Sequence, residues 1–101
     1  MNGQQYLVTI NVPPLLEEAM VDCLLAIESA DGFSSLVVSA HGSEHEALSL
    51  AEQVAGRKKQ IRFQMYVPEQ QLEVLIGLLK KDFSGAGLHY WVMPVLESGV
   101  I

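Results

Sequence analysis

The sequence predicts an α+β fold with the element order β-α-β-β-α-β, and three observations carry that prediction. Apolar and polar residues alternate from Tyr6 to Val12 and from Gln60 to Val67, the period of two expected of half-buried strands. Apolar residues recur at helical spacing in two other stretches, Leu15 to Ile27 and Leu72 to Leu79. Breakers separate these stretches: Pro13-Pro14, Asp31-Gly32, Pro68, Ser84-Gly85-Ala86-Gly87 and Pro94.

In the first strand Tyr6, Val8, Ile10 and Val12 occupy one side and Leu7, Thr9 and Asn11 the other, and Pro13-Pro14 ends it. The helix that follows places Leu16, Met20, Cys23, Leu24 and Ile27 on one stripe. Glu17 and Glu18 stand in its first turn, where the positive end of the macrodipole favours them, and Asp31-Gly32 closes it. Phe33 to His41 reads as a second strand. The third strand sets Ile61, Phe63, Met65 and Val67 against Gln60, Arg62, Gln64 and Tyr66, with Pro68 as its end. A second helix turns Leu72, Leu75, Ile76 and Leu79 inward and carries Lys80 and Lys81 at its C-terminal end. After the glycine turn, Leu88 to Met93 forms the last strand, ended by Pro94. This order predicts a ferredoxin-like plait, a four-stranded antiparallel sheet with two helices on one face, folded as a single domain over residues 1–101.

Such a plait leaves one sheet face bare. If Tyr90 and Val92 turn to the helices, Trp91 and Met93 turn to the open side, joined by Leu7 and by Leu36 or Val37. An apolar face of this kind is covered in most proteins by another subunit, so a homo-oligomer is expected.

Composition excludes several classes. With 101 residues, half of them apolar, the chain suits one packed domain. The net charge of −6, with Arg57, Lys58, Lys59, Arg62, Lys80 and Lys81 as the only basic side chains, argues against nucleic acid as a partner. The longest apolar run, Val74 to Leu79, is too short to span a bilayer, so an integral membrane protein is excluded and a cytoplasmic one expected. A single cysteine, Cys23, agrees with a reducing compartment and reads as a small core residue. The same count sets aside a metallochaperone, which needs a Cys-x-x-Cys pair. No nucleophile with a base, no phosphate-cradling glycine loop with lysine and no metal-hydrolase pattern is present.

The connection from His41 to Gly56 is far longer than a hairpin turn requires, and such connections are usually functional. Two readings of it compete. Ser43-Glu44-His45-Glu46 has the form of a capping box, followed by Ala47, Leu48, Ala51 and Val54 as the stripe of a short helix closed by Gly56. Alternatively, His41, Glu44, His45 and Glu46, with Glu52, are candidate ligands for a divalent transition metal, since imidazole and carboxylate together suit zinc, copper, nickel or cobalt. Arg57-Lys58-Lys59 at its base reads as a solvated charge run or as an anion site.

The element order, the long connection between the second and third strands, and Ser84-Gly85-Ala86-Gly87 followed by Leu88-His89-Tyr90-Trp91-Val92-Met93-Pro94-Val95 resemble the PII-like superfamily of nitrogen regulatory proteins. Gly32-Phe33, His41-Gly42, Ala51-Glu52-Gln53-Val54-Ala55-Gly56-Arg57 and Tyr90-Trp91-Val92-Met93-Pro94-Val95 are similar to an uncharacterised bacterial branch of it, often encoded near heavy-metal efflux systems. The resemblance implies a homotrimeric, non-enzymatic sensor that binds a small ligand or metal ion at subunit clefts. It would signal through the strand 2 to strand 3 loop, the counterpart of the PII T-loop, to a protein partner such as a membrane transporter or its regulator. Arg57, Lys58, Gly85 and Gly87 are the candidate cleft residues. PII proteins hold ATP or ADP with a basic residue after the glycine turn and arginines near the C-terminus. Here those places offer Leu88 and Leu96-Glu97-Ser98-Gly99-Val100-Ile101, which argues against ATP or ADP bound in that manner. The insert also lacks the tyrosine that is uridylylated in some PII T-loops.

An enzyme is the alternative. Dimeric ferredoxin-like proteins include small monooxygenases and haem-degrading enzymes that use an Asn, a Trp and a His in a pocket under the helices. Asn11, Trp91 and His89 are the corresponding residue types, but alternation puts His89 and Trp91 together on one face and Asn11 on the face opposite Val12.

Overall fold

The computed structural model describes residues 4–27, 32–42 and 57–101. Its elements are β1 (Gln5–Val12), a 3-10 turn (Pro14–Leu16), α1 (Glu17–Leu25), β2 (Ser34–His41), β3 (Arg57–Pro68), α2 (Glu69–Asp82) and β4 (His89–Val95). The four strands form one antiparallel sheet in the order β2-β3-β1-β4. This is the predicted α+β ferredoxin-like plait.

The core forms where the two periodicities meet. Val8, Ile10 and Val12 of β1 and Ile61, Phe63, Met65 and Val67 of β3 point to one side of the sheet. Met20 and Leu24 of α1 and Leu75 and Leu79 of α2 pack onto them in a single cluster. Each such side chain contributes about 1.5–3 kcal/mol by leaving water. Phe33 reaches the same cluster, its ring tilted against Phe63 at 6.0 Å between centroids. The start of α2 is anchored through the backbone, because the Glu69 N–H donates to the Gln4 carbonyl at 3.0 Å. Lys80 and Lys81 fall in its last turn, as charge and macrodipole require.

Three boundaries differ from the sequence reading. The helix predicted over Leu15 to Ile27 splits into the 3-10 turn and α1, because Pro14 at the start of that turn lacks an N–H and suits a tight first turn. β3 begins at Arg57, three residues before the alternation read from Gln60, so Arg57, Lys58 and Lys59 belong to a strand, paired with His41, Ala40 and Ser39. Pro94 lies within β4, paired with Tyr6, and does not end it. β4 is an edge strand, where a residue without an N–H costs the ladder nothing if that position faces outward. Between the two alternatives for the open face, Val37 pairs with Ile61 and shares the helix side, while Leu36 stands opposite Arg62 on the open side.

Candidate functional site

The open face is built from the alternate residues of the same strands. Pairing places Leu7 between Tyr66 and Met93, Thr9 between Gln64 and Trp91, and Asn11 between Arg62 and His89. The expected apolar group is present, with Leu36 48%, Trp91 38% and Met93 51% exposed. A polar constellation lies among them. The Arg62 Nε donates to Asn11 Oδ1 at 2.9 Å, and the guanidinium carbon lies 5.2 Å from the centre of the Trp91 ring. Thr9, beside them, is only 1% exposed, and its hydroxyl has no hydrogen-bond partner among the described residues.

Asn11, His89 and Trp91 do come together, but on the open face and not under the helices, and the Asn11 oxygen is engaged by Arg62. The pocket beneath the helices on which the monooxygenase reading rested does not contain them. Sequence reasoning weighed these three residues without Arg62. Its position two residues after Gln60 in the alternating third strand was the signal that could have placed it with them.

Gly85 and Gly87 both adopt positive φ, 79° and 77°, which glycine reaches without strain. They help line a cavity of about 340 Å³ between the end of α2 and β4, together with Ile10, Ile76, Leu79, Phe83, Leu88, Tyr90, Ser84 and Lys80. That size suits a small ligand, and the lining is mostly apolar. Arg57 and Lys58 are not part of it. They begin β3, paired with His41 and Ala40, five and four residues before Arg62. Gly32 and Phe33 line a second cavity of about 270 Å³ with Leu7, Ser34, Gln64, Met65 and Tyr66.

Of the candidate metal ligands, His41 ends β2, exposed and paired with Arg57. Glu44, His45, Glu46 and Glu52 lie outside the described residues, as do the Ser43 cap, the stripe Ala47, Leu48, Ala51 and Val54, Gly56, and the Asp31 turn. Among the described residues no group of three or more His, Cys, Asp or Glu is placed to hold a metal ion. Cys23 packs against the core as expected, and burial first, then the charge of Asp82, pushes its thiol pKa up. No helix among the described residues is long and apolar enough to cross a membrane.

Comparison with known proteins matches residues 2–101 to the model of a family described as "Protein of unknown function (DUF3240)". A crystal structure of a member of that family from Shewanella baltica has a TM-score of 0.78 at 21% identity, covering 96% of each chain. The nitrogen regulatory PII-like protein CPII from Thiomonas intermedia, solved with ADP, AMP and bicarbonate, gives 0.69 at 18% identity, covering 97% of this chain and 96% of that one. PII from Arabidopsis thaliana, bound to citrate, gives 0.67 at 19% identity over 92% of this chain and 78% of that one. At these identities the likeness is one of fold. No curated protein matches the chain.

Proposed function

The chain belongs to the family of unknown function DUF3240, and we propose that it acts as a non-enzymatic regulatory protein of PII-like type. The observation that carries this reading is the open sheet face of a PII-like plait, with Leu36, Trp91 and Met93 exposed on it beside the half-buried Leu7. In this proposal the chain is a single domain that closes three such faces into a homotrimer. Closure brings the glycine-turn cavity of one chain near its neighbour, where Arg57 and Lys58 of that neighbour complete the cleft.

A small ligand bound there, or a divalent metal held by His41, Glu44, His45 and Glu46 in the connection itself, biases the conformation of the strand 2 to strand 3 connection, the T-loop counterpart, and that connection contacts a protein partner. A membrane transporter or its regulator, in metal homeostasis in the cytoplasm, is the proposed setting. The PII-like relative solved with ADP, AMP and bicarbonate, and the one solved with citrate, make adenine nucleotides and small carboxylates the first ligands to test. Leu88 after the glycine turn favours a ligand other than ATP or ADP held through its phosphates, because no cation stands at that position.

Calorimetric titration tests the ligand. Zinc, copper, nickel and cobalt should give heat that a His41→Ala, His45→Ala double variant loses, and identical titrations would remove the metal from this reading. ATP and ADP should bind weakly or not at all; tight binding would contradict the argument from Leu88.

A further inference from the structure

Charge is divided unevenly between the two layers of this protein. The chain carries twelve Asp and Glu against six Lys and Arg, yet none of the strands β1 to β4 contains an acidic residue. Four of the six cationic residues, Arg57, Lys58, Lys59 and Arg62, stand on β3. The carboxylates of the described residues lie in the helices and in the tail after β4. Among the described residues the open face is thus free of carboxylate in an acidic protein, and its most central charge is Arg62.

Arg62 is held in place by its neighbours. Its Nε–H is taken by Asn11 Oδ1 at 2.9 Å and its guanidinium carbon lies over the Trp91 ring, 5.2 Å from the centroid. These contacts fix the side chain but leave both terminal nitrogens, with their four N–H groups, without an acceptor among the described residues. The position diagonal to Arg62 across the β1–β3 pair is Thr9, 1% exposed, with a hydroxyl that has no partner among the described residues. A fixed guanidinium fork and a buried, unused hydroxyl donor on one carboxylate-free face are the elements of an anion site.

We propose that the open sheet face binds a small oxyanion, a carboxylate or a phosphate, on the terminal nitrogens of Arg62 with the Thr9 hydroxyl as a further donor. Asn11 and Trp91 position the guanidinium and do not touch the anion. The site stands on the geometry of one chain. If three copies close this face about one axis, the bound anion also offsets the three Arg62 charges brought together there; that consequence alone rests on the proposed trimer.

Trp91 is the only tryptophan, so its fluorescence reports on the guanidinium stacked against it. The purified protein is titrated with inorganic phosphate and, separately, with acetate, at ionic strength held constant with chloride. A saturable change with either probe is expected, and the tighter of the two identifies the class. Arg62→Lys should weaken binding at least tenfold, since the charge stays but the fork is lost. Asn11→Asp, which places a carboxylate against Arg62, should abolish binding, and Thr9→Val should weaken it severalfold. No saturable change with either probe, or equal affinity in wild type and Arg62→Lys, overturns the site. Light scattering in the same samples keeps the two readings apart: a trimer that binds neither anion refutes this site and leaves the assembly standing.

Discussion

The two sides of the sheet are made by the same strands, residue by alternate residue, and they differ in what they do. The helix side carries Val8, Ile10, Ile61, Phe63, Met65 and Val67, all buried in one cluster with both helices. The open side carries Leu7, Thr9, Asn11, Arg62, Gln64, Trp91 and Met93, a mixture of apolar, aromatic and cationic groups with no carboxylate. Folding is accounted for by the first side. The second is available for assembly and binding, and substitutions on the two sides should therefore be felt in different measurements.

The largest contrast is in stability. Phe63→Ala removes a fully buried ring and should cost about 3–5 kcal/mol in urea unfolding. Leu36→Ala, half exposed on the open side, should cost within about 0.5 kcal/mol for a single chain. Equal losses would mean that the open face is as much a core as the helix side.

A smaller effect sharpens the same line. Thr9→Val keeps the shape of the side chain and removes a buried hydroxyl without a partner among the described residues, so the free chain should be unchanged or more stable by about 1 kcal/mol. A loss of that size would show that the hydroxyl is hydrogen-bonded in the folded protein.

The smallest effect concerns Cys23 on the helix side. Its thiol pKa is raised by burial and by Asp82, so the folded chain holds the thiol proton more tightly than the unfolded chain. The resulting stabilisation is complete below the unfolded thiol pKa and is lost as pH rises through the folded one. Alkylation by iodoacetamide should accordingly reach its half-maximal rate at higher pH in native than in urea-unfolded protein; coincident profiles would place the thiol in solvent.

Much of this division was legible in the chain. Alternation in Tyr6–Val12 and Gln60–Val67 separates the two sides of β1 and β3 correctly, because a period of two fixes which residues share a face once one of them is known to be buried. Register was not legible. Whether Leu36 or Val37 faces out depends on which residue of β3 each one pairs with, and no local pattern in Ser34–His41 sets that. Proline was misread at Pro94 for a related reason: its cost depends on whether the strand is at an edge, a property of the sheet and not of the segment. The Arg62–Asn11–Trp91 group joins three strands and could not be seen from any one of them. The lack of acidic residues in every strand segment was visible from the start and was the clue to it.

The central claim is that the open face is an assembly surface of a PII-like protein, and mass in solution tests it most directly. Light scattering on the wild type should report three chains, and Trp91→Glu, which puts a carboxylate among the apolar residues of that face, should lower the assembly state while circular dichroism stays native. A wild type that remains a single chain across the concentration range would contradict the account.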